Sequence, residues 1–128
     1  MIPKYRAWNK STKEMYGDDD VVDVNIEKKE ILVKTTSCKR LSYNFLGDVE
    51  LMSSTGFTDN DGKDIFGGDI IDSTDGFLTG VVEFREALGM FVSNLVEYNN
   101  FERLCNVASS RKIIGNIWEH PELAEVKQ

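Results

Sequence analysis

Calcium is the first chemistry the sequence suggests, because Asp59-Asn60-Asp61-Gly62 places three oxygen-bearing side chains ahead of a glycine. An EF-hand loop has glycine at its sixth position and oxygen ligands at its first and twelfth. With Gly62 as the sixth, those positions fall on Phe57 and Gly68, which offer no side-chain oxygen. The register fails, and Asp61-Gly62 is read as a hairpin turn instead. Zinc takes about four N or S ligands in a structural site and three protein ligands in a catalytic one. The chain offers Cys38, Cys105 and a single histidine, His120. A Ser-His-Asp or Cys-His set would have to use His120, and no G-x-S-x-G accompanies it. A G-x-x-x-x-G-K-[ST] phosphate loop is absent, and Gly67-Gly68 is followed by Asp69, whose charge repels phosphate. Asp18-Asp19-Asp20 reads as an exposed loop, since three adjacent carboxylates repel one another. No spacing selects a pair of carboxylates for acid–base work from the 22 present. The sequence predicts no catalytic residue, no metal ligand and no cofactor, hence a non-enzymatic protein.

What remains polar needs strands and turns to hold it, and Leu51 to Ile71 is the stretch that organises them. Ser54-Thr55-Gly56, Asp59 to Gly62 and Gly67-Gly68-Asp69 are turn-forming clusters. Glycine supplies positive φ there, and the Asn and Asp side chains bond to nearby backbone. Short apolar pieces lie between them: Leu51-Met52, Ile65-Phe66 and Ile70-Ile71. Asp69 precedes a strand, where its carboxylate is expected to accept backbone N–H groups and hold the turn. Gly115 interrupts the apolar strand 112–118, a sign of a bulge or a close backbone approach. Asn116 is expected to bond across that bulge. Trp8 and Trp118 are expected as core or interface anchors.

Along the chain, 4–8 and 14–16 read as one hairpin, and 21–26 with 31–36 as a second. Val22, Val24 and Ile26 are expected on one face, and Leu41, Tyr43 and Phe45 on another. Residues 79–84 are a strand; 90–92 and 95–98 are short apolar pieces. Phe101 to Val107 is ambiguous between strand and helical turn. Pro121 to Val126 suits a short C-terminal helical turn with Pro121 at its first position. Many short strands punctuated by Gly, Asn and Asp predict an all-β, short-stranded barrel or sandwich. Residues 65–118 carry the strand count of an SH3-like barrel.

At 128 residues the chain suits a single domain, 1–128, able to bury a core without staples. A refinement divides it into an N-terminal lobe of hairpins, 1–47, and a barrel lobe, 48–128, where the charge changes. The net charge of −7 is uneven. Residues 1–46 carry nine Lys/Arg against seven Asp/Glu, 47–102 carry two against twelve, and 103–128 carry four against three, giving +2, −10 and +1. A surface that neutralises phosphates needs clustered cations, so direct nucleic-acid binding is not expected of the middle block. An acidic face built from Asp59, Asp61 and Asp64 is expected to favour a basic protein partner. No apolar run approaches the roughly 20 residues of a membrane span. The N-terminus has no apolar h-region, so a cytoplasmic protein is expected.

Four pieces together resemble the YopX-like family of phage and prophage proteins. They are Ile2-Pro3-Lys4-Tyr5-Arg6-Ala7-Trp8 with Thr12-Lys13-Glu14-Met15, Leu51 to Ile71, Gly80 to Phe84, and Ile114 to Leu123. In the central piece Thr55-Gly56, Asn60-Asp61-Gly62-Lys63 and Gly68-Asp69-Ile70-Ile71 occupy the family pattern. Ser53 departs from it where glutamine is common, and Gly67 where glutamate is usual. Residues 17–47 match poorly. The resemblance implies a β-rich fold, a phage or prophage origin, a place in the host bacterial cytoplasm and self-association; it implies no activity. The leading expectation is an accessory protein acting through protein–protein contacts, as a homo-oligomer or on a host protein with a basic surface. The basic hairpin (Lys4, Arg6, Lys10, Lys13) would meet the acidic middle of a neighbour. The alternative is a nucleic-acid-linked protein, either a small barrel or an acidic mimic of DNA.

Overall fold

Alternating apolar residues at the start of the chain form an antiparallel hairpin of β1 (Tyr5–Asn9) and β2 (Glu14–Tyr16). The turn between them is held by Asn9, whose Oδ1 accepts the amides of Ser11 at 3.0 Å and Thr12 at 3.1 Å. This is a computed structural model that describes residues 4–126; Ile2 and Pro3 of the N-terminal motif lie outside the described residues. The chain divides into two compact units, Met1–Ser53 and Ser54–Gln128.

The first unit continues with a three-stranded meander, β3 (Val21–Asn25), β4 (Glu30–Lys34) and β5 (Arg40–Asn44). A long strand, β6 (Val49–Thr58), then lays residues 49–53 against β1. Ala7, Tyr16, Ile31, Val33 and Val49 form the core here, with Val21, Val24, Tyr43, Phe45 and Leu51 packed around it. Tyr16 and Tyr43 stack with ring centroids 6.1 Å apart. Trp8 lies buried on β1, opposite Met15 and Glu50. One expectation is corrected. Val22 is 43% exposed and Ile26 is exposed too, while Val21 joins Val24 at the core. Val21 pairs with Val33 and Asp23 with Leu32, so a bulge at Val22 resets the alternation. Leu41 is likewise exposed, unlike Tyr43 and Phe45.

The second unit begins with the end of β6 pairing to β7 (Asp64–Phe66). It continues through β8 (Asp69–Asp72), β9 (Gly80–Arg85), β10 (Met90–Leu95) and β11 (Phe101–Arg103). A short helix α1 (Leu104–Val107) and a 3-10 turn (Ala108–Ser110) lead into β12 (Lys112–Asn116), which returns to pair with β8. The sheet order is β11-β10-β9-β8-β12. Four meandering strands, a 3-10 turn and a fifth strand returning to the first make the SH3-like barrel expected for residues 65–118. Phe101 to Val107 resolves as strand followed by helix, because Leu104 must turn inward to complete the core of Ile65, Ile71, Val82 and Ala108. Pro121 opens the terminal 3-10 turn, Pro121–Ala124.

A second correction concerns Ser54-Thr55-Gly56, which does not end a strand. These residues lie inside β6, where the pairing to β7 slips between Ser54 and Thr58. Gly56 takes φ +82° there, and the amide of Phe57 turns onto Thr55 Oγ1 at 3.1 Å. The local bond replaces a ladder bond without reversing the chain. Among the described residues no helix is long and apolar enough to cross a membrane.

Candidate functional site

The family-type residues of the second unit come together as structure rather than as an open site. The hairpin between β6 and β7 is closed by Asp59 N–H donating to Lys63 O at 2.9 Å and Gly62 N–H to Asp59 O at 3.0 Å. Asp59 is not on an exposed face: it is 4% exposed. Its Oδ1 accepts the amides of Asp61 and Lys63, both at 2.9 Å, and its Oδ2 accepts Ile113 N–H at 3.1 Å. Burial alone raises the carboxyl pKa, but these amides, Ile113 first, outweigh it and hold the group below its ordinary value. Asp61 and Asp64 stay exposed, Asp61 within 3.9 Å of Lys112 Nζ. The expected acidic face of three is therefore two residues and a buried brace.

Thr55 is buried and donates its hydroxyl to Ile65 O at 2.8 Å. Gly68 N–H donates to Val82 O at 2.7 Å, and Gly68 O accepts Ile117 N–H at 3.0 Å. Asp69, 1% exposed, accepts Phe66 N–H at 2.8 Å across the Gly67-Gly68 turn. Pairing of β8 with β12 sets Asp69 beside Asn116 and Ile70 beside Gly115, with a bulge between Ile113 and Gly115. Asn116 Oδ1 accepts the amides of Trp118 at 3.0 Å and Glu119 at 2.8 Å, and its Nδ2 donates to Glu119 Oε1 at 2.9 Å. Asn116 thus shapes the turn that launches the terminal segment.

That turn leaves no room at Gly115. A Cβ there would meet His120 Nδ1 at 2.6 Å and Cγ at 2.8 Å. Gly115→Ala is expected to destabilise the protein by about 1–2 kcal/mol by displacing the imidazole. Adding His120→Ala removes the two closest atoms and is expected to recover more than half of that loss. Urea unfolding of the four members of the cycle measures the coupling; strictly additive costs would show that the ring is not the obstacle.

One open feature of the second unit is a groove of about 770 Å³. Its walls are the loop between β8 and β9, the start of the loop between β10 and β11, Ile114 on β12, and the terminal 3-10 turn. Phe77, 70% exposed, and Tyr98, 52% exposed, are its aromatic residues. Asp72, Glu97, Glu122 and Glu125 supply carboxylates along the same lining. Phe77 stands on a braced loop. Asp75 accepts the Ser73 hydroxyl and Phe77 N–H, and both bonds hold its carboxyl pKa down, the hydroxyl most. Asp72 Oδ1 accepts the Thr79 hydroxyl at 3.0 Å, and Val96 N–H donates to Thr79 O at 2.9 Å, tying the two loops together.

Phe77, Tyr98, Glu97 and Glu125 did not stand out in the sequence, and Ile114 and Glu122 did so only as members of the family-like piece Ile114 to Leu123. One signal was available: Phe77 follows Asp75-Gly76, an aromatic inside a turn instead of a strand. Trp8 belongs to the first unit and lines no part of this groove. Among the described residues no group of three or more His, Cys, Asp or Glu is placed to hold a metal ion.

A family model described as "YopX protein" matches residues 4–125. The fold is similar to the crystal structure of protein EF1440 from Enterococcus faecalis, at 24% identity and a TM-score of 0.67, covering 98% of this chain and 99% of that one. It is similar also to the crystal structure of protein yopX from Bacillus subtilis, at 20% identity and a TM-score of 0.61, covering 94% and 96% of the two chains. No curated protein matches the chain.

Proposed function

Because this chain belongs to the YopX family, we propose that it is a non-enzymatic accessory protein of phage or prophage origin, acting in the host bacterial cytoplasm by binding another protein. The observation that carries this reading is the groove of the second unit, where exposed Phe77 and Tyr98 stand among carboxylates. Large aromatics held in water beside a cavity are the usual anchors of protein interfaces. The acidic middle of the chain supports a second reading, a mimic of DNA that occupies a basic groove on a host protein.

Co-purification from a host lysate after nuclease digestion tests the first reading, with a gel shift on random single- and double-stranded DNA beside it. The expected result is a stoichiometric protein complex and no shifted DNA. A shifted band, or a preparation that retains only nucleic acid, would overturn it. A complex weakened by Asp61→Asn/Asp64→Asn and untouched by Phe77→Ala would favour mimicry. Light scattering of the pure protein separates self-association through the basic hairpin from capture of a different chain.

A further inference from the structure

We propose that the groove of the second unit takes an extended peptide segment of a partner protein in which Lys or Arg alternates with apolar side chains. This rests on the reading that the chain acts by binding proteins, and it names the chemistry of the partner.

Charge comes first. Four carboxylates line the groove, and no Lys or Arg is among its described lining residues. Glu122 in the terminal turn and Glu125 just after it are exposed, open to an arriving cation. Such a lining repels nucleic acid and steers cationic chains. The aromatics then decide between cations. A guanidinium or ammonium stacked on Tyr98 gains from the ring face while its N–H groups reach carboxylates. A simple polyamine satisfies the acids but leaves Phe77 and Ile114 in water, whereas alternate apolar side chains cover them. Alternation follows from extended backbone, whose successive side chains point to opposite sides.

Preorganisation points the same way. Asp75 fixes the backbone amide of Phe77, and the two loops are tied through Thr79 and Val96, so little backbone ordering is left for the binding step. A volume of about 770 Å³ suits a few residues of peptide. The chain's own basic hairpin is a poor occupant. Lys10 is paired with Glu50 at 2.9 Å and Arg6 Nε lies 3.4 Å from Met52 Sδ, both within the first unit.

The test is fluorescence anisotropy with a fluorescein-labelled nonapeptide of alternating Arg and Leu, titrated with the full chain. Saturable binding is expected, about tenfold weaker with Glu122→Lys/Glu125→Lys and about fivefold weaker with Phe77→Ala or Tyr98→Ala. A peptide with Ser in place of every Leu is expected to bind about tenfold more weakly. All four positions are exposed, and unchanged urea midpoints confirm folding; if Tyr98→Ala unfolds, the double glutamate variant decides. Equal affinity of the double variant, equal affinity of the Arg/Ser peptide, or displacement by an equal concentration of spermine would overturn the proposal. So would absence of binding by the wild type. In that event a complex still captured from cells leaves the broader reading standing, and its absence removes both.

Discussion

Asp59→Ala is expected to lower the free energy of unfolding by about 3 kcal/mol, measured by urea denaturation. The charge of Lys63 contributes least to the environment of Asp59; most of the residue's value lies in three amides. Those of Asp61 and Lys63 belong to an exposed hairpin loop and find water when the carboxylate goes. The Ile113 amide lies on β12 beside the bulge, and losing its acceptor at 3.1 Å costs more. The same bond fixes how the β6–β7 hairpin meets the last strand, so the loss extends beyond the loop. Acid separates this from a packing effect. The folded-state pKa of Asp59 is lowered from 3.8. Its contribution is therefore complete above that unfolded value and disappears as pH falls through the lower folded one. The stability difference between wild type and Asp59→Asn should be constant near neutrality and shrink below about pH 4. A difference that stays constant down to about pH 2 would mean that the charge on the carboxylate is irrelevant.

Gly80→Ala is the second large effect, at about 3 kcal/mol. A Cβ at this position would lie 1.9 Å from Ser93 Oγ, 3.2 Å from Ser93 Cβ and 3.3 Å from Asn94 O. Neither side can yield easily. Gly80 is paired to Leu95 on one flank and Ile71 on the other, and Ser93 is buried in the adjacent strand. Ser93 Oγ makes no hydrogen bond among the described residues, so Ser93→Ala alone is expected to cost less than about 1 kcal/mol. In the double variant that substitution removes the worst contact and should restore more than half of the lost stability. Thermal or urea unfolding of the cycle checks this. An undiminished cost in the double variant would place the clash on the two contacts that remain, the Cβ of residue 93 and Asn94 O.

Both sites illustrate what the sequence discloses and what it withholds. The barrel of residues 65–118 is legible because nearly every strand is bracketed by Gly, Asn or Asp, whose turn chemistry is local. The Asp59 to Gly62 hairpin is legible for the same reason. That the Asp59 carboxylate reaches Ile113, 54 positions away, is not, because no local pattern encodes it. The bulge at Val22 escapes detection because strand alternation assumes an unbroken period of two. The groove is the extreme case. Its lining comes from 72–79, 96–98, 114 and 122–125: the pairing of β9 with β10 brings the first two together, and the return of β12 to β8 adds the rest. Each segment read singly is an ordinary polar loop or strand end.

The pairing of β12 with β8 also dictates an order of events during synthesis. Every strand pairing of the first unit lies between Tyr5 and Ser53, so that unit is complete before the second has emerged from the ribosome. The barrel must wait for Lys112–Asn116, and until then the edge of β8 stays bare while β9 to β11 are already able to meander. The nascent chain therefore passes through a stage with one finished half and one open sheet edge. The Asp59 carboxylate gains its Ile113 partner only when β12 arrives, so that bond belongs to the late closure of the edge.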